Sequence, residues 1–404
     1  MTSFQRSQNT KANQYKGSLE LYSPVNIPFD DSEYKHDITQ QTSMMMPNYR
    51  NKMWRICISV CVFNLFSTAL YIQRRHFCKK CIQSPPILRF REHDHSWKFK
   101  IVQITDIHLG EEPTTDWGPA NDQKTFRLLK NILMIEKPDL IVLSGDQITA
   151  NYSLPNATTY YQILGDFLSQ FNTPWATTFG NHDDLDYSAR PPADYYPQNK
   201  LPSGKYPPKY SRSDLLEVDQ KHHFSLTKGG ISNVTGTTNY KLNILLRDHV
   251  AAQIFMFDSG GGSLPERIAK SQLDWFQREF SISQHPAVAF QHIPSSAHTY
   301  HESCSGFQGE GIDALQFDAG IVPALTRTKR FAFLAVGHNH GNDYCCPYNN
   351  TMLHVCFGRH SGYGGYGRWD RGVRVYELFF ENGSSNNMKW NSWIRLESGL
   401  KILS

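Results

Sequence analysis

Residues 331–340 read Phe-Ala-Phe-Leu-Ala-Val-Gly-His-Asn-His. Six successive apolar residues leave no side for water, so this strand belongs in a sheet covered on both faces. Two imidazoles one residue apart follow directly after Gly337. Leu140–Leu143 (LIVL) repeats the pattern and also ends on chemistry, at Gly145-Asp146. Working outward, further strands are expected at 99–105, 176–179, 253–258, 287–291, 352–357 and 373–380. Helical spacing appears between them. Phe126, Leu129 and Leu133 mark one helix, ended by Lys137-Pro138; Ile163, Phe167 and Leu168 mark a second, and Ile268, Leu273 and Phe276 a third. Short buried strands alternating with helices define the α/β class.

Open α/β sheets bind ligands at the carboxyl ends of their strands, and five expected strand ends carry polar chemistry in this chain. They are Asp106-Ile107-His108, Gly145-Asp146, Gly180-Asn181-His182-Asp183, His292, and Gly337-His338-Asn339-His340. Singly, each block has an ordinary reading: Asp-x-His can be a turn with a stray histidine, His292 a hydrogen-bonded structural residue, and His338 with His340 a surface pair. In order, each directly after an apolar strand, they read as one rim of metal donors. Mixed imidazole and carboxylate ligands suit Zn, Fe or Mn, whereas an all-oxygen set would favour Mg or Ca.

This ordered set resembles the signature of the calcineurin-like metallophosphoesterases over about residues 97–380. GHNHGNDYC at 337–345 and CFGRHSGYGGYG at 356–367 resemble the small purple-acid-phosphatase-related branch of plants and fungi. The resemblance implies a β-sandwich flanked by helices (α/β/β/α). It also implies two divalent or trivalent metals (Fe, Mn or Zn) sharing Asp146, with Asp106, His108 and His340 completing one site and Asn181, His292 and His338 the other. The implied reaction is phosphoester hydrolysis by a hydroxide bridging the two metals. Its substrate would be a phosphomonoester, as a small molecule or a phosphoprotein. A phosphodiesterase acting on nucleotides or lipid headgroups, and a non-catalytic scaffold of the same fold, are the alternatives. His182 matches the family residue that faces substrate, and Asp183 beside it could orient its ring. Arg359 and His360 are candidate phosphate contacts, because guanidinium matches phosphate bidentately. Purple enzymes carry a tyrosinate ligand three residues after the shared aspartate and usually lack the first-block histidine. Here those positions are Thr149 and His108, so the general family's ligand set is expected.

The remainder of the chain bounds these readings. With Lys+Arg 41 against Asp+Glu 37 in 404 residues, no basic stripe exists for nucleic acid, and nucleic-acid binding is not expected. Residues 1–53 are polar and lack periodicity, a flexible tail. Residues 56–72 carry no charge, would span about 25 Å as a helix and are flanked by Arg55, Arg74 and Arg75, so 54–75 reads as a transmembrane signal-anchor, with a buried helix of a soluble protein as the alternative. Residues 76–96 read as a linker. There the CKKC of Cys78 and Cys81 lacks the second ligand pair a zinc site needs, and Glu92, His93, Asp94 and His95 read as an exposed stretch entering a strand. Residues 186–213 form a Pro/Tyr-rich insert, and 381–404 a C-terminal extension packed on the domain. SGYGGYG at 361–367 precedes a strand and not a helix, which excludes a nucleotide loop.

Two signals of membrane orientation conflict. Basic residues are more numerous after the span than before it, which by the positive-inside rule would keep the domain cytosolic. Yet Asn151, Asn156, Asn233, Asn349 and Asn382 all open N-x-Ser/Thr sequons beyond the span. Cys304, Cys345, Cys346 and Cys356 permit disulfides in the globular part. The expectation is a single-pass membrane glycoprotein with a lumenal or extracellular domain.

Overall fold

The computed structural model describes residues 84–150, 157–184, 210–282, 285–381 and 387–403. The tail, the span at 54–75, the CKKC, and residues 186–209 of the insert lie outside them. No described helix is long and apolar enough to cross a membrane.

In chain order the first half comprises β1 (Arg91–His93), β2 (Ser96–Ile104), α1 (Trp117–Glu136), β3 (Leu140–Ser144), α2 (Ala157–Ser169), β4 (Trp175–Thr178), α3 (Arg212–Asp219), β5 (Tyr240–Leu246) and β6 (His249–Met256). There follow β7 (Arg267–Ile268), α4 (Lys270–Ile282), β8 (Ala287–Phe290), β9 (Phe317–Asp318), α5 (Ile321–Thr328), β10 (Phe331–Val336), β11 (Cys345–Pro347), β12 (His354–Phe357), β13 (Gly372–Glu381), β14 (Lys389–Leu396) and β15 (Lys401–Leu403). One sheet runs β15-β14-β13-β2-β3-β4, with β1 on β2; a second runs β11-β12-β10-β8-β6-β5; β7 and β9 pair separately.

The two large sheets face each other across a common core. Phe99, Ile101, Val142, Tyr376 and Phe380 of the first meet Ile254, Val288, Phe290, Phe333 and Ala335 of the second, and the Phe333 and Tyr376 rings stack at 4.1 Å. On the outer face of the first sheet, Leu129 and Ile132 of α1 and Tyr161, Leu164 and Leu168 of α2 cover Val102, Ile141, Leu143 and Trp175. On the outer face of the second, Trp275, Phe276 and Phe280 of α4 and Val322 and Leu325 of α5 cover Phe255, Phe331 and Leu334. The layers therefore run helix, sheet, sheet, helix. Every residue of β3 and β10 is buried, as covering both faces of a sheet demands.

Strands β2, β3 and β4 are mutually parallel, and so are β6, β8, β10 and β12. Parallel strands deliver all their carboxyl ends to one edge, which is what gathers residues far apart in sequence.

Several elements differ from expectation. Leu88 and Phe90, placed in a linker, are core residues, and β1 pairs with β2. Glu92, His93, Asp94 and His95 form a hairpin whose tight turn has φ of 46° at Asp94 and 62° at His95, a twist suited to joining two strands. Ile268, read as the start of a helix, sits in β7, and α4 begins at Lys270. The end of the stretch read as an insert forms α3, opened by a capping box between Ser211 and Asp214. The C-terminal extension is a continuation of the first sheet, since β14 pairs with β13 and β15 with β14. Its KWNSWIRL interleaves polar and apolar residues, the pattern of an outer strand and not of a continuous apolar run. Two disulfides form, Cys304–Cys346 and Cys345–Cys356, the latter between facing positions of β11 and β12.

Candidate metal centre

The chain leaves each parallel strand through a sharp turn, and the donors sit in those turns. Asp106, His108, Asp146 and His338 have φ of 57°, 49°, 54° and 73°. Left-handed backbone at non-glycine residues is uncommon and tends to concentrate at functional sites. Gly145 stands where a side chain cannot: a Cβ there would lie 2.2 Å from His292 Nδ1. Without one, that nitrogen comes to 2.9 Å from the Ser144 carbonyl.

Seven residues expected from the sequence meet at the sheet edge. One group comprises Asp106, His108 and His340, and a second Asp146, His292 and His338, each with its donor atoms within 4.8 Å of one another. Asn181 joins the second, its Oδ1 lying 3.0 Å from His292 Nε2 and 2.9 Å from His338 Nδ1. Asp146 stands between them, with Oδ2 3.1 Å from His292 Nε2 and 3.7 Å from His108 Nε2. Nε2 of His108 and Nε2 of His340 are 3.2 Å apart. Each group draws on both sheets.

The ring nitrogens pointing away from the centre are tied down. The Ser144 carbonyl faces His292 Nδ1, the Tyr366 carbonyl faces His340 Nδ1 at 2.9 Å, and the Thr149 hydroxyl lies 3.0 Å from His108 Nδ1. In a neutral ring such as His340, an Nδ1–H held by a carbonyl leaves Nε2 as a bare lone pair aimed inward, the tautomer that ligates a cation. Burial holds His108 well below the usual imidazole range, His338 at about 4 and His340 at about 3, so these rings are neutral at pH 7. Burial alone would also lower His292, but the adjacent Asp146 carboxylate carries it up to about 9. Burial raises Asp106 to about 7. Burial opposes ionisation of Asp146 as well, yet the His292 and His182 imidazoles outweigh it and hold this carboxyl well below its ordinary value. The neutral imidazoles of His108, His338 and His340 beside two buried carboxylates make a donor set that fits cations.

Thr149 stands at the position a tyrosinate would occupy in the purple enzymes, and its hydroxyl supports His108 instead. Thr149→Val, which keeps the shape and removes the hydroxyl, is expected to weaken metal affinity or turnover about 10- to 100-fold; a chelator-competition titration checks it, and unchanged affinity and rate would refute the role.

Of the four remaining candidates, His182 stands at the rim and the other three serve other contacts than expected. His182 is half-buried at the rim, its ring edge-on to His108 at 5.1 Å between centroids, and its backbone N–H donates to Asp146 Oδ1 at 2.7 Å. Asp183 does not serve the His182 ring. Its carboxylate accepts backbone N–H groups of Asp146, Gln147, Ile148 and Gly180 at 2.7–3.1 Å, which binds the turn after β3 to the turn after β4. Arg359 is buried and committed, donating to Asp343 Oδ2 and to the Asp370 carbonyl, each at 2.7 Å. That removes it as a phosphate contact. His360 is buried behind the donors, its centroid 3.9 Å from that of His340, and contributes packing instead of a surface contact.

Residues that sequence reasoning passed over include Tyr366, which stacks on His340 at 4.1 Å, and Glu310, which accepts the Tyr366 hydroxyl and the Gly341 N–H. Tyr366 lies in the SGYGGYG run, whose glycines and tyrosines have a sequence signal. The carbonyls that lock the rings have none.

Two sandwiched sheets with imidazole and carboxylate donors converging at their shared edge define a metallohydrolase-type α/β scaffold. The calcineurin-like phosphoesterase family matches residues 99–342, and the chain belongs to it. Among curated relatives, "Probable inactive purple acid phosphatase 28" of Arabidopsis thaliana is 26% identical over 73% of this chain and 78% of its own length. "Phosphatase DCR2" of Saccharomyces cerevisiae is 27% identical over 78% of this chain, which spans 56% of that relative. Among solved structures, a dimetal phosphatase from Danio rerio aligns over 76% of this chain and 98% of its own, at 11% identity and a TM-score of 0.46. The purple acid phosphatase PPD1 of yellow lupin aligns over 76% and 53%, at 16% identity and a TM-score of 0.42.

Proposed function

We propose that this chain is a metal-dependent phosphoester hydrolase acting on phosphomonoesters, on a small molecule or a phosphoprotein. The observation that carries the reading is the position of Asp146 Oδ2, within 3.7 Å of one donor group and 3.1 Å of the other. A single carboxylate oxygen there can serve two cations. Asp106, His108, His340 and Asp146 would hold one, and Asp146, Asn181, His292 and His338 the second, as Fe, Mn or Zn. Bound there, the pair would supply Lewis-acid activation of water and neutralise charge on the phosphoryl oxygens.

The chain's own residues supply the remaining steps. Asp106, Asp146 and the buried imidazoles form a dry floor, while Asn181, His182 and His338 stand half-buried at the opening. A phosphoryl group entering over Asn181 meets the His182 ring. From a ring nitrogen His182 can hydrogen-bond a transferring oxygen or hand a proton to the departing alkoxide. Asp183 holds the backbone of both turns, so the ring approaches from a fixed base.

A binding scaffold without catalysis is the second reading, favoured by the word "inactive" in the name of the plant relative. Against it, every donor position in this chain is filled and converges. Hydrolysis of p-nitrophenyl phosphate and its bis-ester by the purified full chain, with Mn, Zn or Fe and after chelation, separates the readings. Metal-dependent turnover of the monoester over the diester is expected. Preference for the bis-ester would make the chain a diesterase, and metal binding without turnover of either ester would favour the scaffold.

The proposal extends to location: a single-pass membrane protein through 54–75 with a lumenal or extracellular domain. Its support is the two disulfides, a feature of oxidising compartments, and the sequon residues Asn233 and Asn349, both in exposed turns. Endoglycosidase treatment of the full chain from cells is expected to increase its mobility on gels. An unshifted band together with free thiols would place the domain in the cytosol.

A further inference from the structure

Arg212 lies near the end of the stretch read as an insert, at the first position of α3, and is only 2% exposed. A cation at a helix N-terminus opposes the helix dipole, and burying a guanidinium carries a large desolvation cost. Helix stability therefore does not account for it. Its contacts do. Nε donates to Asp184 Oδ1 at 3.0 Å and Nη1 to Asp258 Oδ1, while Nη2 donates to the carbonyls of Gly180 at 2.8 Å, Gly260 at 3.1 Å and Gly261 at 2.7 Å.

These acceptors lie on two loops that start from different sheets. Gly180 and Asp184 bracket Asn181 and His182 in the turn after β4; Asp258, Gly260 and Gly261 follow β6. The second loop rests against the first: a Cβ on Gly261, whose φ is 90°, would lie 2.3 Å from Asn181 Cβ. Ser263 Oγ also donates to Asp184 Oδ2. Asn181 comes from the first sheet, yet it must meet His292 and His338 from the second. The guanidinium fork sits where that distance is set.

We propose that Arg212 is a positioning residue for the Asn181 side of the centre: by clamping the loop after β4 to the loop after β6, it holds Asn181 Oδ1 against His292 and His338. This rests on the reading that the group binds a cation. A lysine retains the charge but not the planar fork that reaches both carboxylates and three carbonyls. In Arg212→Lys the Asn181-side cation should therefore bind about 10- to 100-fold more weakly, as when an outer support of a ligand is lost, while the Asp106, His108 and His340 group keeps its affinity.

The test is a chelator-competition titration of metal-free full-length protein with Zn²⁺, alongside Arg395→Lys as control. Arg395 pairs with buried Glu136 at 2.6 Å on the α1 side of the first sheet, so its loss reports general loosening. Two binding steps are expected in the unaltered protein, with one selectively weakened in Arg212→Lys and neither in Arg395→Lys. Both steps unchanged in folded Arg212→Lys, or both weakened equally, would overturn the inference. If Arg212→Lys does not fold, Asp184→Asn, which leaves Asp258 paired, is read instead by the same criterion. Absence of Zn²⁺ binding by the unaltered protein would instead refute the metal reading itself.

Discussion

Asp146→Asn is expected to release both cations and abolish turnover. Asp146 is 1% exposed and its Oδ2 lies 3.7 Å from His108 Nε2 of one donor group and 3.1 Å from His292 Nε2 of the other. The substitution removes a full negative charge and a shared ligand from both sites at once. Asparagine keeps an oxygen to accept the His182 N–H, so the turn after β4 retains its anchor, and the fold should survive. Metal catalysis is worth several kcal/mol of transition-state stabilisation, so a fall in rate of roughly 10³-fold or more follows at about tenfold per 1.4 kcal/mol. Metal analysis of the purified variant, with circular dichroism to establish folding, reads the result. Two equivalents of metal and an unchanged rate would end the proposal that Asp146 bridges.

His182→Ala should separate chemistry from metal binding. The ring belongs to neither donor group and faces the opening beside His108, whereas its backbone, which the substitution preserves, makes the bond to Asp146. Metal content should stay at two equivalents while kcat falls by about 10²- to 10⁴-fold, the usual contribution of a positioned acid or base. The deficit should shrink for a substrate whose leaving group needs no proton, such as p-nitrophenyl phosphate, relative to an alkyl phosphate. Loss of metal together with activity would make His182 structural, and an unchanged kcat on both substrates would remove it from the mechanism.

The corrections at the site share one cause. Asp183, Arg359 and His360 were attractive because of what their side chains can do, and the structure decides whether those atoms are free. Four backbone amides occupy the Asp183 carboxylate; Asp343 and a carbonyl occupy the Arg359 guanidinium; His360 is sealed behind His340. Arg212 is the converse case. Nothing in SRSDLLEVD distinguishes it from a solvent-exposed helical arginine, and its importance arises only because two loops from different sheets arrive at its fork.

What the sequence determined by itself was the set of strands buried on both faces, LIVL and FAFLAV foremost, and the donors that follow them. Continuous apolar runs admit no exposed face, so they force a covered sheet; residues directly after such strands must leave the core at its carboxyl edge. The family resemblance implied two sheets and the division of the donors into two groups; the tertiary structure alone decided that β14 and β15 extend the first sheet and how the donor side chains meet across the two. Those depend on strand order and on the gap between sheets, set by contacts such as Phe333 on Tyr376 and by the Arg212 clamp. Pairings of that kind join residues more than a hundred positions apart, as Asn181 with His292 and His338, and local spacing carries no record of them.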